Sequence, residues 1–134
     1  MCVKAHAGNA VNSPERLLWI FRQVNHPRLA LAYDYSHYQA EGLDLESSLR
    51  AIIPHTRFIH VKDVALNEKP PRFLMVGEGT IDYAKYFRLL DELNYTGPLI
   101  VEVSSQIFNR PGYEPVKTAE QAHAFLSRAL ANAN

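Results

Sequence analysis

Lys4, Asp34, His60 and Glu102 lie on four separate apolar segments, CVKAHAG, LALAYD, RFIHVKDVA and PLIVEVSS. Two carboxylates, an imidazole and an ammonium brought to one point can bind a divalent cation, or move a proton on a carbon beside a carbonyl. His6 and His37 stand close by in sequence, and Lys62 and Asp63 end the third segment's apolar core. Whether these groups meet depends on the elements that carry them.

Each segment is followed by a helical pattern. After the first, Ser13 is a good N-cap and Pro14 suits the first helical position, with Leu17, Ile20, Phe21 and Val24 spaced as an apolar stripe. After the second, Asp44 can cap a helix carrying Leu45, Leu49, Ile52 and Ile53, with Pro54 near its stop. The third leads through a loop, Asn67 to Ile81, into a helix starting at Asp82 with Tyr83, Tyr86, Phe87 and Leu90 on one face. The fourth leads through NRPGYEPVK into a helix with Ala119, Ala122, Phe125, Leu126, Ala129 and Leu130. Four βα units imply a parallel sheet with right-handed crossovers, so every strand ends at the same rim, where α/β proteins bind ligands.

Strand residues alternate between faces. Val3 and Ala5 then oppose Lys4 and His6; Leu29, Leu31 and Tyr33 oppose Ala30, Ala32 and Asp34; Ile59 and Val61 oppose Phe58, His60 and Lys62; Leu99, Val101 and Val103 oppose Ile100, Glu102 and Ser104. One face of each strand is apolar and packs on helices, while the other ends in a polar group. An unpaired buried charge costs several kcal/mol, so Lys4, Asp34, His60 and Glu102 must satisfy one another, a metal ion or a polar ligand. A structural ion-pair network, or polar faces turned to solvent, is the non-functional reading of the same pattern. Trp19 and the tyrosines outside YDYSHY read as packing, and Glu78 as part of a loop turning toward the Asp82 cap.

The 134 residues suit one domain, 1–134, and 47% hydrophobic with 21% charged residues marks a folded globular chain. Fourteen basic residues balance fourteen acidic ones, which argues against nucleic acid or a membrane surface as partner. The lone Cys2 excludes an internal disulfide and a cysteine zinc cage. No apolar run approaches the roughly 18 residues of a membrane span, so the expected setting is cytoplasmic.

The ordered pieces YDYSH, FIHVKD, GEGTIDY, LNYTGPLIVEV and, less closely, AHAGN resemble the sugar phosphate isomerase/epimerase family of xylose isomerase-like TIM barrels. Dehydratases of inosose and dehydroshikimate and, more distantly, endonuclease IV belong to the same group. The resemblance implies a small sugar or sugar-acid substrate and a divalent metal, Mn²⁺, Mg²⁺, Co²⁺ or Zn²⁺, on Asp34, His60 and Glu102. It implies His37 as a contact to a substrate oxygen. Where the family carries a first glutamate ligand this chain has Lys4, whose ammonium either repels the ion or occupies its place. Family chemistry uses two glutamates as acid and base on opposite faces of a carbon. Here Glu102 is one candidate, and Lys4 or His6 the other; Lys62 and Asp63 are candidate contacts for substrate hydroxyls or phosphate, or a solvated pair.

A complete (β/α)₈ barrel needs about 250 residues. Four units make its C-terminal half, strands five to eight, and leave two open edges. The expected completion is the missing barrel half or a homodimer, and isomerase or epimerase activity, or the related dehydratase or lyase chemistry, is expected of the completed barrel. A carbohydrate-binding domain that has lost catalysis is the second reading. DNA repair of the endonuclease IV kind ranks third, because it needs more metal ligands and a basic face.

Overall fold

Ser13 and Pro14 start the first helix: the Ser13 side chain accepts the Arg16 N–H, and proline fills a position whose N–H has no intrahelical partner. The computed structural model, which describes residues 1–66 and 68–133, shows the four βα units in order. They are β1 (Cys2–Lys4) and α1 (Pro14–Val24), β2 (Ala30–Tyr33) with α2 (Tyr35–Ala40) and α3 (Leu45–Ile52), β3 (Thr56–Val61) with α4 (Tyr83–Glu92), and a last strand, Leu99–Val101, with the helix Pro115–Ala131. Asp44 and Asp82 cap α3 and α4 through their side chains, as their positions predict.

Between β3 and α4 the expected plain loop contains a short antiparallel pair, β4 (Asp63–Ala65) and β5 (Arg72–Leu74). The third strand therefore ends at Val61 and the chain re-enters extended structure on another sheet. Asn67, where the loop was expected to begin, lies outside the described residues. The last strand is thus β6, followed by a one-turn helix, α5 (Ser105–Phe108), before α6, Pro115–Ala131.

The sheet order is β1-β2-β3-β6, all neighbours parallel. Lys4 is level with Ala32, Ala32 with Phe58, and His60 with Ile100. Small side chains on β2 leave room in front of the sheet, while Leu31, Tyr33 and Ile59 turn to the other face and are fully buried against Leu17, Leu49, Ile52 and Tyr86. Burial of this kind stabilises by about 1.5–3 kcal/mol per large apolar side chain, which fixes the parity of each strand. The Tyr33 hydroxyl lies 2.7 Å from Ser48 Oγ, satisfying the polar end of a buried ring.

Several expected packing residues are exposed, Ala119 and Leu99 among them. Trp19 is 63% exposed, because Leu17 points into the core and Trp19 lies two positions, about 200°, further round the helix. Val24 and Leu130, at the last turns of α1 and α6, are also exposed. Among the described residues, β1 and β6 have no strand on their outer sides, and Leu99 and Ile100 stay partly exposed.

Candidate active site

The rim holds five charged or titratable side chains in direct contact. Lys4 ends β1, and its Nζ lies 3.0 Å from Asp34 Oδ2, 2.5 Å from Glu102 Oε2 and 3.2 Å from His60 Nδ1. Lys62, just beyond β3, donates to Asp34 Oδ2 and lies 3.2 Å from Glu102 Oε1. His60 Nδ1 is 2.7 Å from Glu102 Oε2. Asp34 serves two elements: it closes this cluster, and as N-cap of α2 it accepts the Ser36 N–H and, at 2.6 Å, the Ser36 hydroxyl.

Burial grades the cluster from back to front. The side chains of Asp34 and Lys62 are 0% and 1% exposed, those of Lys4 and Glu102 13% and 26%. Burial alone would raise the Asp34 pKa, but the Lys62 and Lys4 charges and the Lys62 hydrogen bond oppose it, and the carboxyl is held well below its ordinary value. Glu102 follows the same balance: burial pushes up, and the Lys4 hydrogen bond and the Lys62 charge bring it below the usual range. Both carboxylates are therefore ionised at neutral pH.

His37 lies behind this group at the start of α2. The Ala7 N–H points at its Nδ1 from 3.2 Å, which assigns the neutral ring's proton to Nε2, 3.5 Å from Asp34 Oδ2 and 3.3 Å from Lys62 Nζ. Burial lowers the His37 pKa to about 3; Asp34 opposes the shift and Lys62 reinforces it. A depressed pKa means that the unfolded chain binds the proton first. Its contribution to stability is fully present above about pH 6.5 and is lost as pH falls toward 3, at up to about 1.4 kcal/mol per pH unit. In urea unfolding between pH 7 and 5, His37→Gln is expected to show a shallower loss of stability than the parent chain; equal slopes would show that His37 does not carry the acid sensitivity.

His6 sits beside the cluster, its ring centroid 4.3 Å from that of His37, with its pKa lowered by burial and by Lys4 and Lys62. Lys62 and Asp63 go separate ways. Lys62 is buried in the cluster, which rules out a solvated pair, whereas Asp63 turns to the opposite side and accepts the N–H groups of Gly77 and Ile81. Burial raises the Asp63 pKa, with the N–H groups of Gly77, Ile81 and Gly79 opposing the shift. A Cβ on Gly79 would come within 2.7 Å of Asp63, so the second glycine of GEG makes room for this anchor. Glu78 accepts the Met75 N–H and pairs with Arg110.

Two neighbours of the site had no signal in the sequence. Phe73, on β5, packs edge-on against His37 and places its ring 4.8 Å from Lys62 Nζ, a cation–π contact. A three-residue strand directly after two prolines has no readable period. Ser36 was visible only as a small residue between aromatics, with nothing to mark it as the partner of Asp34.

The sequence profile of the xylose isomerase-like TIM barrel family matches residues 1–129. The chain belongs to this family. L-ribulose-5-phosphate 3-epimerase UlaE from Shigella flexneri is 31% identical over 121 residues, which is 89% of this chain and 41% of that protein. The UlaE protein of Salmonella typhi matches equally. Among solved structures, an L-ribulose 3-epimerase superposes on 98% of this chain and 47% of its own, with a TM-score of 0.74 at 22% identity. D-psicose 3-epimerase from Clostridium cellulolyticum H10 gives 0.72 at 18% identity, covering 99% and 49%. A magnesium complex of a family member from Mycobacterium smegmatis gives 0.68 at 19%, covering 99% and 44%. The chain spans less than half the length of these relatives, and its four parallel βα units form a half barrel.

One family member thus holds magnesium, and here Asp34, His60 and Glu102 offer three ligand atoms within 4.8 Å of one another. The donor chemistry suits a divalent cation. The geometry does not, because Lys4 Nζ already lies within hydrogen-bonding distance of all three donors. An ion bound at the usual 2.0–2.2 Å from these atoms would meet the ammonium at close range. No helix among the described residues is long and apolar enough to cross a membrane.

Proposed function

We propose that the chain forms the catalytic half of a sugar epimerase or isomerase that moves a proton on a carbon next to the carbonyl of a sugar or sugar-derived acid. The observation that carries this reading is the ionised Glu102 carboxylate, partly exposed at the strand ends and 2.5 Å from an ammonium. The epimerase names of the relatives support the same class.

In the proposed step Glu102 takes the proton from the carbon, the C–H electron pair forms the enediolate double bond, and the carbonyl π pair moves onto oxygen. Return of a proton to the opposite face gives the epimer; Lys4, expected as the second group, lies 2.5 Å from Glu102 and so on its side of the carbon, which leaves His6 as this chain's candidate donor. The expected substrate contacts His37, Lys62 and Asp63 are buried, so in this reading His37 and Lys62 act on substrate hydroxyls or a phosphate by holding Asp34 and Glu102 at the rim, and Asp63 through the loop it anchors. The other face of the barrel is supplied by four further βα units, from a second copy or a separate half, acting in a cytoplasmic setting that the single free Cys2 suits.

Incubating the protein in D₂O with a panel of ketoses and ketose phosphates tests the reading. Deuterium appearing at the carbon beside the carbonyl, by NMR, is the expected result. Saturable sugar binding with no exchange would instead favour the binding-domain reading, which the engagement of Glu102 by both lysines also supports.

A further inference from the structure

We infer that the Lys4 ammonium is the resident cation of this centre, excludes a divalent metal, and is the group that receives the substrate's carbonyl oxygen. Its Nζ is within 3.2 Å of one atom from each of Asp34, His60 and Glu102, the same three residues whose donors cluster as a metal site would.

Charge counting points the same way. Asp34 and Glu102 carry two negative charges and Lys4 and Lys62 two positive ones, so the cluster is neutral as it stands. A divalent ion would add two uncompensated charges beside side chains that are 0% and 1% exposed, a costly arrangement. With glutamate at position 4 the same cluster would carry a net charge of minus two, which a divalent ion neutralises. One residue therefore decides which cation the site holds.

The two lysines do different work. Lys62 is buried behind Asp34 and under the Phe73 ring, and it positions both carboxylates. Lys4 is the more exposed of the two and shares the open side with Glu102. An ammonium has three hydrogens. Two go to Asp34 and Glu102, and when the His60 Nδ1–H donates a hydrogen bond to Glu102 Oε2, 2.7 Å away, the third is free for a carbonyl oxygen. As Glu102 removes the carbon-bound proton, negative charge grows on that oxygen beside the ammonium, where a fixed cation is most effective. This last role rests on the proton-transfer reading above; the exclusion of metal does not.

Equilibrium dialysis of the 134-residue chain against Mn²⁺, read by elemental analysis and by the EPR signal of the bound ion, tests the exclusion without any assay of activity. The parent chain is expected to retain no stoichiometric Mn²⁺, Lys4→Glu to retain ~1 equivalent, and Lys4→Met to bind with intermediate affinity. Circular dichroism checks that each variant is folded; if neither variant folds, the folded parent decides alone. Stoichiometric binding by the parent, or no gain in either folded variant, overturns the proposal. Where deuterium exchange occurs, it is expected to survive EDTA and to fall about 10²-fold or more in Lys4→Met. Loss of exchange on chelation overturns the role of Lys4. Absence of both metal and exchange in the parent removes the proton-transfer reading, and the carbonyl role with it, and leaves the exclusion standing.

Discussion

Replacing Asp34 with alanine is expected to remove about 3–5 kcal/mol from the stability of the fold, the usual consequence of leaving a buried charge without its partner. Lys62, 1% exposed, would keep only the more distant Glu102 oxygen at 3.2 Å, and Lys4 would lose its 3.0 Å contact. The same change removes the side-chain cap of α2, worth about another 1 kcal/mol. The double variant Asp34→Leu with Lys62→Met is expected to be less destabilised than Asp34→Ala, since apolar replacement of both partners leaves no orphan charge. Urea unfolding at pH 7 with an unchanged m-value measures both. A loss below about 1 kcal/mol in the single variant would mean that water reaches Lys62, against the burial on which the ion-pair account depends.

Replacing Glu102 with glutamine is expected to lower the rate of deuterium exchange or epimerisation by about 10²–10⁴-fold, the range for loss of a positioned general base. The amide keeps the size of the side chain and an oxygen for Lys4, so the fold and the sugar affinity should change little. Single-turnover exchange alongside equilibrium binding separates the two effects. Equal loss of binding and rate would assign Glu102 to holding substrate, and an unchanged rate would place the base elsewhere, with His6 next in line.

Much of this site could be read from the chain. Alternation along four short strands, with apolar residues forced inward, leaves Lys4, Asp34, His60 and Glu102 no common direction except the other face, and the structure places them there in contact. The role of Lys62 was half legible. Parity put it beside His60, but only the tertiary fold shows that Asp34 and Phe73 cover it. Asp63 was harder, because the strand breaks after Val61 and its carboxylate answers to backbone N–H groups of residues 14 and 18 positions away. The helix Tyr35–Ala40 has no legible pattern in the chain: its aromatic residues have weak helix propensity, and its stability comes from the Asp34 cap and burial of Tyr35 and Tyr38. The hairpin in the third loop escaped for a related reason, since three-residue strands carry too few positions for a period to show.

Among the described residues no strand pairs with the outer side of β1 or of β6, which leaves the fold open to stabilisation by mass action. Each edge presents backbone donors and acceptors that only another strand satisfies fully, beside side chains such as Leu99 and Ile100 that remain partly in water. Whatever covers those edges binds the folded chain and not the unfolded one, so it adds to stability in proportion to the logarithm of its concentration. Lys4 ends one edge strand and Glu102 directly follows the other, and the two already meet at 2.5 Å, so a strand added at either edge would lie beside this pair. The stability of the sheet would then rise with the concentration of any strand that pairs with it, while the Lys4–Glu102 contact is built by the chain itself.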